Sequence, residues 1–356
     1  MQLSFGKSKS IVGLDIGSTS VKVVECECRS KGVELQHLGV APLPPEAIVQ
    51  GAFLNSGAIV DAIRQAVETA GVKTRNVATA VSGHSVIVKK ISLPVMTREE
   101  LDESIHWEAE QYIPFDINEV NLDFQILDSG ENEGQMDVLL VAAKKDLIDD
   151  YVHVITEAGL NPAVIDVAAF AISNSFAANY EIAQDEVVAL VNIGSQVVNI
   201  NILASGVPAF TRDISTGGSV YTEEIQKSLS VSWEEAERMK IGSSSSEESQ
   251  EVVPQEVETA MRSVTDTVLG EISRSLDFFA ATSAESRISR VFLSGGGSKV
   301  SGLEAAFQGK TNLPVERLNP LARVLPSSRF EPEYLEDVGA ALGVGVGLAL
   351  RKVDDQ

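Results

Sequence analysis

Asp15 closes an apolar run and is followed by Gly17, Ser18 and Thr19, with Lys22 three residues further on. Those residue types in that order suit an anion. Gly17 lets the backbone come close to a phosphate, Ser18 and Thr19 offer backbone N–H groups and hydroxyls, and Lys22 supplies positive charge. Asp15 is suited to hold the waters of a magnesium ion bridging phosphates. Half a chain later, Leu14-Asp15-Ile16-Gly17-Ser18 is echoed by Val191-Asn192-Ile193-Gly194-Ser195. In both copies a strand-like stretch runs into the turn and another runs out, so the repeat implies two homologous lobes. A third element is Phe292-Leu293-Ser294-Gly295-Gly296-Gly297-Ser298, an apolar strand running into three glycines and then a helix. Backbone without side chains can lie flat against a purine or approach a phosphate, and the helix start adds N–H donors.

The elements that must carry these turns follow from periodicity. Segments rich in β-branched residues alternate with amphipathic ones along the chain, the pattern of an α/β protein. Residues 11–16, 21–28 and 33–41 read as a strand meander, followed by a helix over 57–70 that stops at Gly71 and a strand over 77–81. Residues 85–143 read as an insertion with its own small unit. There Thr97 and Glu100 form a capping-box pattern that opens a helix to about Tyr112, before Pro114, with a strand pair at 121–127 and 136–143. A helix over 145–158, a strand over 163–167 and a helix through Ala178 complete the first half. The second half opens at about Glu186 with strands at 187–193, 197–203 and 207–213. Helices at 218–228, 232–239 and 254–281 and a strand at 290–294 follow, and the Ser-rich stretch 242–250 reads as a surface loop. The expected division is 1–84 for the first lobe, 85–143 for the inserted αβ subdomain, 144–185 for completion of the first lobe and 186–356 for the second.

Composition narrows the function. A chain of 356 residues has room for two lobes and a cleft. Its 28 basic against 51 acidic residues give a formal charge of -23, which repels nucleic acid and anionic lipid, so membrane association is expected to run through another protein. No apolar run reaches the roughly 20 residues of a membrane span, and the start of the chain shows no signal peptide, so a cytoplasmic location is expected. Cys26 and Cys28 sit two apart on one strand face, and the four histidines are scattered, which argues against a disulfide, a zinc site or a triad.

Two Gly-Ser hairpins, one per half, and a late glycine turn in this order resemble the actin, Hsp70 and sugar-kinase superfamily. A narrower resemblance, to the PilM family of actin-like type IV pilus assembly proteins and to their relative FtsA, rests on four stretches. They are Gly13 to Lys22, Glu108-Ala109-Glu110-Gln111-Tyr112-Ile113-Pro114-Phe115, Gly217-Gly218 with Thr222-Glu223-Glu224-Ile225, and Glu234-Glu235-Ala236-Glu237-Arg238-Met239-Lys240. The resemblance implies a duplicated actin-like (ribonuclease H-like) α/β fold, two lobes around a nucleotide cleft, with an FtsA-like inserted αβ subdomain in the first. It implies ATP with magnesium as ligand. Asp15, Gly17, Ser18, Thr19 and Lys22 would form the first phosphate loop, Gly194 and Ser195 the second, with Gly217 and Gly218 near the phosphates. Glu237 and Lys240 would lie near ribose and adenine, and Gly295, Gly296, Gly297 and Ser298 against the base. Glu237 and Lys240 also fit a solvated pair three apart on a helix. Asp166 ends a strand where the superfamily often places a polar residue near the attacking water, although it also fits a cap of the next helix. Asn192 stands where the superfamily usually has Asp. An amide neither takes a proton from water nor attracts magnesium as a carboxylate does, so binding with at most slow hydrolysis is implied.

The implied partner is the short cytoplasmic tail of a PilN-type membrane protein, with pilus motor ATPases nearby and self-association open. The implied setting is pilus biogenesis and twitching motility. The insertion, with its acidic helix bearing Glu99, Glu100, Asp102 and Glu103 and with Tyr112 after it, would take a basic peptide with hydrophobic anchors. Its alternative is an ordinary solvated face. An FtsA-like filament or a type II secretion adaptor is the alternative function; the end of the chain after Leu350 lacks the apolar face of a membrane-tethering helix.

Overall fold

The computed structural model describes residues 11–29, 32–127, 134–244, 255–283 and 287–353. The first lobe opens with β1 (Val12–Ile16), β2 (Ser20–Arg29) and β3 (Gly32–Pro42), an antiparallel meander. A small hairpin, β4 (Ile48–Val49) with β5 (Ala52–Phe53), leads into α1 (Ser56–Ala70). Asn55 caps α1 by accepting the N–H of Ala58, and Gly71 ends it in the left-handed region with φ 68°, a conformation that glycine adopts without strain. α1 lies close on β3 because a Cβ at Gly39 would stand 2.1 Å from the Ala66 carbonyl oxygen. β6 (Asn76–Val81) then runs parallel to β1.

The insertion follows as β7 (Val86–Pro94), α2 (Arg98–Glu110), β8 (Val120–Leu127) and β9 (Gln135–Lys144). Its sheet is three-stranded, in the order β7-β9-β8, where the sequence suggested only the pair β8 and β9. β7 escapes a periodicity test because Lys89 and Lys90 are both exposed and interrupt its alternation, and pairing with the central β9 fixes it. The Thr97–Glu100 capping box is formed in both directions. The unit has its own core around Leu101, Ile105, Ala109, Val138 and Leu140. α3 (Lys145–Glu157), β10 (Asn161–Val167), parallel to β6, and α4 (Ala168–Asn179) return the chain to the first lobe.

The second lobe repeats the plan with β11 (Val187–Ile193), β12 (Val198–Ala204) and β13 (Val207–Ile214), then α5 (Ser219–Leu229), α6 (Trp233–Ser244) and α7 (Gln255–Thr282). β14 (Ile288–Ser294), α8 (Leu303–Thr311) and β15 (Val315–Arg317) follow. α6 runs to Ser244, past the start of the stretch read as a loop at 242–250, and the rest of that stretch lies outside the described residues. The sheet orders β10-β6-β1-β2-β3 and β15-β14-β11-β12-β13 coincide strand for strand, antiparallel on one side of the first strand and parallel on the other. The repeat seen in the Gly-Ser turns therefore extends to whole sheets.

The last segment does not stay with the second lobe, as the division at 186–356 has it. β16 (Leu325–Pro326) joins the first sheet beside β3, and after α9 (Pro332–Gly339) the buried helix α10 (Gly343–Ala349) wedges between the lobes. Its glycines make the fit possible. A Cβ at Gly347 would stand 1.7 Å from the Ala171 oxygen of α4, one at Gly343 2.5 Å from Ser294 Oγ, and one at Gly345 2.8 Å from Val24. Behind the cleft, α4 and α10 share one core with Val188, Leu190 and Phe292 of the second lobe and Ala78 and Val164 of the first.

Candidate functional site

Between the lobes lies a cleft of about 620 Å³. One wall is the β1–β2 hairpin, from Asp15 to Lys22, and the facing wall is the β11–β12 hairpin, from Asn192 to Asn199. Their tips close alike: Gly17 N donates to Ser20 O at 3.1 Å, and Gly194 N to Val197 O at 2.9 Å. Lys22, only 9% exposed, pairs with Asp15 directly across the strand pair, Nζ to Oδ2 3.1 Å. A lysine held in a cleft with its charge near a backbone turn is a ready phosphate ligand. Tyr151 also lines the cleft, and its phenol is pushed well above the ordinary range by burial, then by the negative charge of Asp15.

α6 brings Glu237 and Lys240 to the same space. They pair at 2.7 Å, and both bind Thr222 Oγ1 of α5, Glu237 Oε2 accepting its hydroxyl at 2.5 Å and Lys240 Nζ lying 2.9 Å away. Lys240 also reaches the Gly218 oxygen at 3.3 Å. These two residues are thus tied to the cleft wall, which distinguishes them from a freely solvated pair.

Of the three glycines after β14, two are demanded by the protein itself. A Cβ at Gly295, which has φ 84°, would stand 2.4 Å from Ile193 O, and one at Gly297 2.4 Å from Ile193 Cγ2. A Cβ at Gly296 would meet nothing within 4 Å, so this glycine faces open cleft. Ser298 is buried and donates to Gly295 O at 2.7 Å, holding the turn from behind. Gly217 likewise stays outside the lining. Gly218 N and Ser219 N donate to Gly194 O and Ser195 O, each at 2.8 Å, and a Cβ at Gly217 would stand 2.5 Å from both oxygens. This pair of glycines buttresses the second hairpin.

Asp166 stands apart from the lining residues. Its Oδ1 accepts the N–H of Val167, its Oδ2 lies 3.6 Å from Arg351 Nε, and α4 has no side-chain cap bond. It caps no N–H of α4 and joins the end of β10 to the returning C-terminal segment. Asn192 is at the cleft, its amide donating to Asn199 Oδ1 at 2.9 Å.

The chain matches the family described as "Type IV pilus assembly protein PilM" over residues 13–353. It belongs to that family. A solved PilM–PilN type IV pilus biogenesis complex superposes with a TM-score of 0.86 at 31% identity, covering 97% of this chain and 99% of that one. The cell division protein FtsA of Bacillus subtilis (strain 168) is 23% identical over 363 residues, 92% of this chain and 82% of FtsA. MreB 5 of Spiroplasma citri bound to AMPPNP gives a TM-score of 0.53 at 11% identity over 96% of this chain and 95% of that one, a likeness of fold. The fold is actin-like, and the second function weighed from sequence, an FtsA-like one, gives way to the pilus assembly family.

This PilM-family cleft also uses residues that no motif marks. Gln196, at the tip of the second hairpin, accepts the N–H of Gln50 at 2.8 Å and donates to Ile48 O at 2.9 Å, fastening the two lobes. Asp213 of β13 accepts the N–H of Gly83 from the first lobe and Asn199 Nδ2 at 2.8 Å. Burial pushes the Asp213 carboxyl above its ordinary range, against those two donors. Both residues act over more than a hundred positions of sequence, beyond the reach of local spacing. In the insertion, Tyr112 packs against the core of that unit, whereas the exposed aromatic residue is Trp107 on α2, 74% accessible.

Proposed function

We propose that this chain is an actin-like scaffold of the type IV pilus inner-membrane assembly complex, binding ATP in its cleft and docking the cytoplasmic segment of a PilN-type membrane protein. The observation that carries the nucleotide part is convergence: two equivalent hairpins and an open glycine, Gly296, meet at one cleft that also holds the buried Lys22. Ser18, Thr19 and Lys22 face the phosphates from one lobe and Gly194 and Ser195 from the other. Glu237 and Lys240 reach the sugar, and the base rests on Gly296. Magnesium would arrive with the phosphates. Among the described residues no group of three or more His, Cys, Asp or Glu could hold a metal, so Asp15 would meet it through water and supply charge neutralisation. With an amide at position 192, bound ATP is hydrolysed slowly.

The partner part follows from the family and from the PilM–PilN complex it resembles. A docking face on the insertion is supported by α2, which exposes Glu99, Asp102, Glu103 and Trp107 together. A short basic peptide with hydrophobic anchors complements it. Among the described residues no helix is long and apolar enough to cross a membrane, and tethering through that peptide would place the chain on the cytoplasmic side of the inner membrane.

Calorimetry tests the cleft. Lys22→Ala should weaken ATP binding by about 1.5–3 kcal/mol, the worth of a charge-assisted contact. Gly296→Leu should abolish binding while leaving the melting temperature unchanged, since only open cleft meets the new side chain. Undiminished affinity in both folded variants would remove the nucleotide from this cleft. For the partner, a peptide copying the PilN cytoplasmic tail should bind less well to a Glu99→Lys, Asp102→Lys variant, with a flatter salt dependence. Equal binding would move the docking site off the insertion.

A further inference from the structure

Four residues form an unbroken polar line from the root of the insertion to the cleft. Gly83 N, just before β7, donates to Asp213 Oδ2. Asp213 Oδ1 accepts Asn199 Nδ2 at 2.8 Å, and Asn199 Oδ1 accepts Asn192 Nδ2 at 2.9 Å. Asn192 Oδ1 is left beside the glycine turn, where a Cβ on Gly295 would stand 2.7 Å from it.

The direction of this line is dictated at one end. Ionised, the Asp213 carboxylate can only accept, taking the Gly83 N–H on one oxygen and Asn199 Nδ2 on the other. Asn199 therefore turns its NH₂ toward Asp213 and its oxygen toward Asn192. Asn192 must then offer NH₂ to Asn199 and present its oxygen to the turn. A carboxylate at 192 is incompatible with this arrangement. Asn199 has one donating and one accepting end, and with carboxylates on both sides one of them meets its oxygen.

We propose that Asp213 is the positioning residue of the second hairpin: through Asn199 it fixes the Asn192 amide against the glycine turn, and through Gly83 it fastens that setting to the junction of the insertion. The negative charge that the first lobe carries at Asp15, on the cleft, is in the second lobe set back from the cleft at Asp213. The relay depends on the nucleotide reading only for its effect on ligand, and its test needs no nucleotide.

A mutant cycle on the full chain decides it. Asn192→Asp changes no heavy-atom count, yet should lower the melting temperature by roughly 5 °C at neutral pH, the scale of three to four kcal/mol in a chain of this size. Asp213→Asn alone should cost about 2 °C or less, because all bonds can be remade with both amides reversed. The double variant Asn192→Asp, Asp213→Asn should come back to within about 2 °C of wild type, since the line then runs intact the other way, from Gly83 N to a carboxylate at 192. Additive losses, or an Asn192→Asp variant as stable as wild type, would overturn the relay. Independently, Asp213→Ala should speed hydrogen exchange at Gly83 N at least tenfold, and unchanged protection would overturn the latch. A wild type that fails to bind ATP while the cycle holds rejects the nucleotide reading and upholds the relay.

Discussion

The two hairpins that face each other across the cleft share a turn, a register and a hydrogen-bond closure, but they are stabilised by different means. In the first, positions 15 and 22 pair as a carboxylate and a lysine; in the second, the equivalent positions 192 and 199 pair as two amides. The first hairpin is tied within its own lobe, by Leu43 N to Thr19 O at 2.9 Å. The second is braced from behind by Gly217 and Gly218 and reaches over the cleft through Gln196. Duplication supplied the same backbone twice. One copy carries its charges at the cleft, and the other reaches across to the facing lobe.

The largest expected break in this comparison is Gly217→Ala. Its Cβ would press on Gly194 O and Ser195 O at 2.5 Å, both backbone atoms, so the brace or the hairpin must move. Overpacking of this kind costs about 3 kcal/mol, which urea denaturation should show, and the first hairpin has no equivalent glycine contact to lose. A variant as stable as wild type would mean that the second hairpin is not braced. The turn glycines themselves should give a smaller, graded effect. Gly194→Ala brings a Cβ to 2.8 Å from Val197 O, whereas Gly17→Ala brings one to 3.2 Å from Ser20 O. A loss of about 1–2 kcal/mol for the former and under 1 kcal/mol for the latter is expected from the same denaturation series. The reverse order would show that the two turns are not held as their geometry indicates.

What the sequence displayed was local. The Gly-Ser turns, the Asn192 departure, the glycine run after β14 and the Thr97–Glu100 box are all short strings, and each lies in the turn or helix start that its string indicates. Asp213 and Gln196 carried no signal, because an Asp at the end of a strand or a Gln in a turn is common, and what singles them out is a partner in the other lobe. Asp166 misled for the converse reason. Its reading rested on its place at a strand end, and its partner Arg351 lies on the returning C-terminal segment, out of reach of local spacing. The α10 run falls within 186–356, the stretch assigned to the second lobe, and its glycines belong to contacts with α4, β2 and β14 that no window could contain.

The smallest expected effect tests the joining role directly. Gln196 spends both ends of its side chain on the backbone of the β4–β5 hairpin, on Gln50 N and Ile48 O, and neither bond involves a charge. Neutral hydrogen bonds at a part-exposed position contribute about 1 kcal/mol together or less, so Gln196→Ala should shift the melting temperature by no more than about 3 °C. Each lobe keeps its own core, and α4 with α10 still binds them at the back, so unfolding is not where the loss appears. It appears in local opening. Hydrogen exchange at Gln50 N should accelerate several-fold, because that donor loses its acceptor, while the Gly17 N amide, closed on Ser20 O within the first hairpin, should keep its protection. ATP affinity should fall less than in Lys22→Ala, because the clasp orients the walls without touching charge. Equal acceleration at Gln50 and Gly17 would show that the first lobe loosens as a whole, and that the second hairpin holds it by packing instead of by the Gln196 clasp.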